Sequence, residues 1–253
     1  MKLLEPLPGE HLWSVISRSA TWSGFSYDSL LKEKYDLSSV LVYPAKGDCR
    51  TIAKLAKHAE FASLRKENSP YPLWLLNFDD EEQTATEILS DLTTRTSETL
   101  IVTSNDWRYC VKCAEEDRQQ HGTAYWHTEH NLPLVTHCTK HGKALVKLMD
   151  VKSLKALKMP NRISAKVIVG TEDEELMQWS AFVVEVYNQL RRIPNFNVHL
   201  RQKVFEALGI RKDVHGQLLS CAHFNSLLDE FEASLPKQVL GHCFQFYADK
   251  TRK

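Results

Sequence analysis

Apolar positions recur at helical spacing along most of this chain. Pro6 and Pro8 precede a stretch that puts Leu12, Trp13, Ile16 and Ala20 on one face, and Gly24 stops it. Ser26 caps a second helix carrying Leu30, Leu31 and Tyr35, and the short link between the two resembles a helix-turn-helix connection. Two further helices are predicted near 50–62 and 81–94. Between them, Pro70-Tyr71-Pro72-Leu73-Trp74 interrupts regular helix at its prolines. The pattern returns after residue 170. Thr171 followed by Glu174 reads as a capping box, with Glu172, Asp173 and Glu175 adding charge that suits a helix N-terminus. That helix carries Leu176, Trp179, Val183, Val186, Tyr187 and Leu190, and ends at Arg191 and Arg192 before Pro194. A second helix holds Leu200, Val204, Phe205 and Leu208 up to Gly209. A third starts near Ser220 and carries Phe224, Leu227, Leu228 and Phe231. This pair, with Arg201, Lys203, Arg211 and Lys212 nearby, is compatible with a DNA-binding helix-turn-helix.

The middle of the chain breaks the helical pattern and carries the chemistry. Cys110 and Cys113 form a Cys-x2-Cys pair, and Cys138 and His141 a Cys-x2-His pair, with 24 residues between the pairs. Two tight turns each offering two soft ligands are what a tetrahedral zinc ion needs. Four protein ligands leave no position for a reactive water, so the spacing predicts one structural Zn2+ and no catalytic residue. His127, His130 and His137 compete for the fourth position. His141 is preferred to His137, whose adjacency to Cys138 would strain the chelate. A zinc hydrolase would instead need three protein ligands, a bound water and an acid or base such as Glu115 or Glu129. Trp107 and Trp126 are read as core, because a small zinc unit has little else to bury. Cys49, Cys221 and Cys243 read as small buried side chains rather than a second metal site.

The fold class is therefore mainly α: a helical, helix-turn-helix-like domain over 1–104, a Cys3His zinc-binding domain over 105–150, and a basic linker with a helical, helix-turn-helix-like region over 151–253. At 253 residues the chain has room for all three. Charge is balanced, 32 basic against 32 acidic residues, so no global field draws it to nucleic acid. The distribution is uneven. Lys140, Lys143, Lys147, Lys152, Lys155, Lys158, Arg162 and Lys166 face only Asp150 over 140–166, and such a stretch can neutralise phosphates. Residues 79–98 run the other way, with Asp79, Asp80, Glu81, Glu82, Glu87, Asp91 and Glu98 against Arg95. No apolar run is long enough to span a membrane, the N-terminus lacks a signal-peptide core, and metal-spaced cysteines fit a reducing cytoplasm.

The residues around the ligands are more specific than any periodicity. They read Trp107-Arg108-Tyr109-Cys110 with Cys113 and Asp117-Arg118, then Gly122 with Tyr125-Trp126-His127, Leu132-Pro133, Cys138 with His141-Gly142, and Leu145. This resembles the TnsD/TniQ family of transposon target-selection proteins, known for an Arg-Tyr-Cys-x2-Cys element, a Gly-x2-Tyr/Phe-Trp, a Leu-Pro and a closing Cys-x2-His-Gly. Glu10, Leu12, Ser14, Arg18 and Gly24 fall on recurring positions of that family's opening helix. The resemblance implies a non-enzymatic protein that binds double-stranded DNA, selects an insertion site and recruits the AAA+ ATPase TnsC. The long basic and helical C-terminal part resembles the TnsD branch, which reads a fixed chromosomal sequence, more than the TniQ branch, which is attached to RNA-guided CRISPR effector complexes. A zinc-containing helix-turn-helix transcription regulator is the reading without a transposase partner. TnsD-like proteins usually run well past this length, so the chain reads as a short member or a piece of a longer one. The predicted DNA contacts are Lys140, Lys143, Lys147, Lys152, Lys155, Lys158, Arg201, Lys203, Arg211 and Lys212. Residues 1–104, with their acidic segment, are the predicted TnsC-docking region.

Overall fold

In the computed structural model the first helix, α1 (Leu12–Ser23), begins where the sequence predicts and ends at Gly24 in the left-handed region, φ 67°. The structure describes residues 3–24, 55, 58–74, 106–148, 151, 157–160, 167–169, 171–207, 209, 224–235, 237 and 239. The helices expected after Ser26 and near 81–94, and the acidic segment 79–98, lie outside these residues. α1 is buried from Leu12 to Ala20 on nearly every side. Its hydroxyls turn back on their own backbone, Ser19 Oγ donating to the Val15 carbonyl and Thr21 Oγ1 to that of Ser17, while the buried Trp13 indole N–H has no hydrogen-bond partner.

Further helices follow: α2 (Ala59–Glu67) and a single turn α3 (Tyr71–Trp74). The described part of the helix expected near 50–62 thus continues past its predicted end to Glu67. Pro72 sits inside the α3 turn, which corrects the expectation that the prolines exclude helix. In a first turn the missing N–H has no helical partner to lose. Past residue 105 come β1 (Trp107–Tyr109), α4 (Val111–His121), a 3-10 turn (Glu129–Asn131), β2 (Val146–Leu148) and β3 (Val167–Val169). The strands form one antiparallel sheet in chain order, with Trp107 opposite Leu148 and Tyr109 opposite Val146. The C-terminal part is α5 (Glu174–Arg192), α6 (Phe196–Ala207) and α7 (Phe224–Ser234). α5 ends at Arg191 and Arg192 as predicted, but its cap is Asp173, whose carboxylate accepts from the Leu176 N–H at 3.0 Å. Glu174 is already the first helical residue, so the Thr171 box is displaced by two positions. The protein is mainly helical, with a Cys3His cluster at the junction of its parts.

Two apolar cores position that junction. One gathers Leu12, Trp13, Ile16 and Ala20 of α1 with Phe61, Leu64, Trp107, Trp126, Leu148, Leu157 and Met159. The other packs Val183, Val184 and Tyr187 of α5 over Leu132, Val135, Leu145 and the cysteines themselves. Trp107 and Trp126 are fully buried, as expected, with ring centroids 5.1 Å apart. The packing therefore crosses both residue 105 and residue 150.

Candidate metal centre

Cys110, Cys113, Cys138 and His141 converge, their ligand atoms all within 4.8 Å of one another. Cys110 is the residue at which α4 begins and Cys113 lies in its first turn, so one helix start presents both sulfurs. The second pair sits on a tight hairpin. The Cys138 N–H donates to the Lys143 carbonyl at 2.8 Å and the Gly142 N–H to the Cys138 carbonyl at 2.8 Å. Gly142 takes φ 62°, a left-handed conformation that favours glycine after the histidine.

The spacing matches a metal of zinc's size. Bonds of ~2.3 Å to sulfur and ~2.0 Å to nitrogen at tetrahedral angles give sulfur–sulfur edges of about 3.8 Å and sulfur–nitrogen edges of about 3.5 Å. Cys113 Sγ lies 3.7 Å from Cys138 Sγ. His141 Nδ1 lies 3.6, 3.3 and 3.6 Å from the sulfurs of Cys110, Cys113 and Cys138. Three cysteines are buried and free of disulfide. Hydrogen bonds from Cys113 and Cys138 push the Cys110 thiol strongly down, while the same contacts push Cys113 and Cys138 up. A divalent ion removes the mutual repulsion and draws all three sulfurs into the deprotonated state.

Neighbouring residues fix the ligands. His141 Nε2 donates to Glu116 Oε1 at 3.0 Å, which leaves Nδ1 unprotonated toward the metal position. Lys140 Nζ donates to Glu116 Oε2, and this contact, then His141, holds the Glu116 carboxyl below its ordinary value. Arg108 donates to the carbonyls of Leu132 (2.7 Å) and Val135, bracketing Leu134, which takes φ 68°. Asn131 exchanges hydrogen bonds with the Arg108 backbone at 2.8 and 3.0 Å. Glu116 and Asn131 were not singled out from sequence. Glu116 had a legible signal, since it stands three residues after Cys113 on a helix and so shares its face.

The rival histidines have other partners. His127 Nε2 lies 2.9 Å from Asp117 Oδ2, and its ring stacks on Tyr125 at 4.6 Å. His137 Nε2 accepts from the Asp173 N–H, so its Nδ1–H donates to Thr136 Oγ1 at 2.9 Å. His130 is buried beside Cys113, and burial, with His127 close by, pulls its pKa down to about 3.

Most of the described basic residues that the sequence offers for DNA have partners within the chain. Lys140 is paired with Glu116, Lys143 lies 3.8 Å from Glu172, and Lys203 pairs with Glu206 one turn on in α6. Lys147 is half-buried in β2, where burial and then Arg108 lower its pKa. Lys158 is exposed, its backbone carbonyl accepting from Trp126 Nε1 at 3.0 Å. Arg201 lies over the Phe205 ring at 5.9 Å. Lys152, Lys155, Arg211 and Lys212 fall outside the described residues. No described helix is long and apolar enough to cross a membrane.

The family model of TniQ matches residues 3–145, more than half of the chain and the whole of the ligand set. No curated protein matches the chain.

Proposed function

The chain belongs to the TniQ family of transposition proteins, and from that premise we propose that it is a DNA-binding target-site selector that recruits the AAA+ regulator TnsC to a specific chromosomal site. The observation that supports this most is the extent of the match. It runs from the segment before α1 to Leu145, and those residues are joined through one core and one ligand cluster. A unit held together in this way suits a rigid adaptor better than a catalyst. Its four protein ligands complete a tetrahedron, and the ion we assign to it is one structural Zn2+.

On this reading Cys110, Cys113, Cys138 and His141 hold the metal. Residues 1–104 carry the surface for TnsC, with the acidic 79–98 segment facing a basic partner. The lysines of 140–158 with Arg201, Lys203, Arg211 and Lys212 supply phosphate contacts. Neutralising about five phosphates makes log affinity fall with log salt at a slope near ~−4.5.

The match does not separate direct reading of a fixed sequence from attachment to an RNA-guided complex. Footprinting with the chain on genomic DNA, with and without a guide-RNA effector complex, separates them. A unique protected site without guide RNA is the expected result. Protection only with the effector complex assigns the adaptor role, and protection that ignores TnsC and sits at promoters assigns a transcription regulator. A salt slope near zero overturns DNA contact altogether.

A further inference from the structure

Three thiolates and a neutral imidazole around a divalent cation leave one net negative charge in a buried place. Such a charge is tolerated when each sulfur receives a hydrogen bond. The backbone of Cys113 at Cys110 and that of His141 at Cys138 favour the charged sulfur at those two positions. At the third sulfur stands a side chain: His130 Nε2 lies 3.8 Å from Cys113 Sγ. His130 is 5% exposed, and its Nδ1 has no hydrogen-bond partner in the structure. A proton on Nδ1 would therefore be a buried donor without an acceptor, and would turn the Nε2 lone pair toward a thiolate. A proton on Nε2 meets the sulfur and leaves on Nδ1 only an unprotonated nitrogen.

We propose that His130 is a positioning residue of the metal centre, donating its Nε2–H to the Cys113 thiolate and thereby setting metal affinity. This rests on the reading that the cluster holds a metal. The ring is held for that task. It stands in the 3-10 turn, its centroid is 4.9 Å from that of His127, and His127 is tied to Asp117 on α4, the helix that carries Cys113. Asp117, His127 and His130 thus form a chain that leaves α4 and returns to its own cysteine. The sequence offered His130 as a rival ligand; the geometry makes it a donor to a ligand instead.

The test uses the full chain, the variants His130→Leu and His130→Gln, chelator competition for zinc, and the absorption of the cobalt-substituted protein. Leucine removes the donor, whereas glutamine places an amide N–H near the position of Nε2. His130→Leu is expected to lose about 10–100-fold in metal affinity and to move the thiolate-to-cobalt charge-transfer band to lower energy. His130→Gln is expected to stay close to wild type. Wild-type affinity with an unmoved band in His130→Leu, or a glutamine variant as weak as the leucine one, overturns the proposal while leaving the metal reading intact. A wild-type chain that takes up no metal overturns both. Should His130→Leu fail to fold, NMR of the cadmium-loaded wild type decides. A coupling from the His130 Nε2 proton to the metal through the Cys113 sulfur is expected, and a proton found on Nδ1 instead rejects the assignment.

Discussion

The metal unit is gripped on two sides, and the two grips are made differently. On the α1 side an apolar core around Trp107 and Trp126 is reinforced by backbone and side-chain hydrogen bonds. The insert between the ligand pairs runs alongside the segment before α1. His11 N–H donates to the Trp126 carbonyl at 2.7 Å and Thr128 N–H to that of Gly9 at 2.8 Å. Ser14 Oγ accepts from the Trp126 N–H, and the Tyr125 hydroxyl donates to the Pro8 carbonyl. Beneath this lies a buried carboxylate. Glu10 accepts from Ser14 Oγ, from the Leu7 N–H and from both Nε and an Nη of Arg18. On the α5 side the contact is mostly apolar, Val183, Val184 and Tyr187 lying directly against the loop and the cysteines. A backbone-bonded grip fixes one register, because every donor needs its own acceptor. An apolar grip asks chiefly for volume, so it tolerates size-conserving exchanges that the other does not.

The largest change should abolish both grips at once. Cys113→Ser, or stripping the metal with chelator, removes a link on the order of 10 kcal/mol in zinc-dependent peptides. Protection of the α1 and α5 amides from hydrogen exchange should be lost together. Loss on one side alone would mean that the grips do not depend on a common centre.

A cut on the α1 side should come next. Glu10→Ala leaves Arg18, whose side chain is 11% exposed, without its carboxylate, and breaking a buried pair in this way costs roughly 3–5 kcal/mol. Trp126→Ala, which empties a fully buried site between α1 and β1, falls in the same range. Leu145→Met, a size-conserving exchange in the core packed against α5, should cost less than about 1.5 kcal/mol. Urea unfolding of the three variants measures the contrast. Equal losses would erase the distinction between the grips.

What could be read in advance follows the same division. The four ligands were legible because metal chemistry restricts residue type and spacing together. The helix α5 was legible because its buried positions recur at the helical period from Leu176 to Leu190, and α1 because its apolar side chains do, although every residue from Leu12 to Ala20 is buried. The sheet was not. Each of its strands is three residues long, too short for an alternating pattern to stand out, and its register joins residues 41 and 23 positions apart, Trp107 with Leu148 and Val146 with Val169. The Glu10 network was equally hidden. Asn68 reaches the Glu10 carbonyl across 58 positions and Thr128 across 118, and nothing local in the sequence marks such a pairing. Glu116 needed the helix first, since its place beside His141 follows only once α4 is formed.

On the α5 side a polar contact interrupts the apolar surface, and it yields a smaller effect. Ser180 Oγ accepts from the backbone N–H groups of Thr136 and His137 at 3.0 and 3.1 Å while donating to the Leu176 carbonyl. Ser180→Ala leaves two buried donors without that acceptor and should cost about 1–3 kcal/mol. Because those donors precede Cys138, metal affinity should fall alongside stability. A stability loss with affinity unchanged would place Ser180 in the helix packing only.

The smallest effect tests where α5 begins. Thr171 and Asp173 are both acceptable cap residues, and only one holds the position. The Asp173 carboxylate accepts from the Leu176 N–H, and the Asp173 N–H donates to His137 Nε2 at 3.3 Å, tying the helix start to the residue before Cys138. Thr171 is exposed and lies two positions upstream. Asp173→Ala should therefore cost about 1 kcal/mol through the lost cap, whereas Thr171→Ala should sit within the roughly ±0.5 kcal/mol of an ordinary surface change. Asp173→Asn, which keeps an accepting oxygen but loses the charge near the helix N-terminus, should fall between them. The order of the three midpoints in urea decides the matter. A loss at Thr171 equal to that at Asp173 would move the helix start back to the capping box, and would detach α5 from the histidine that joins it to the metal hairpin.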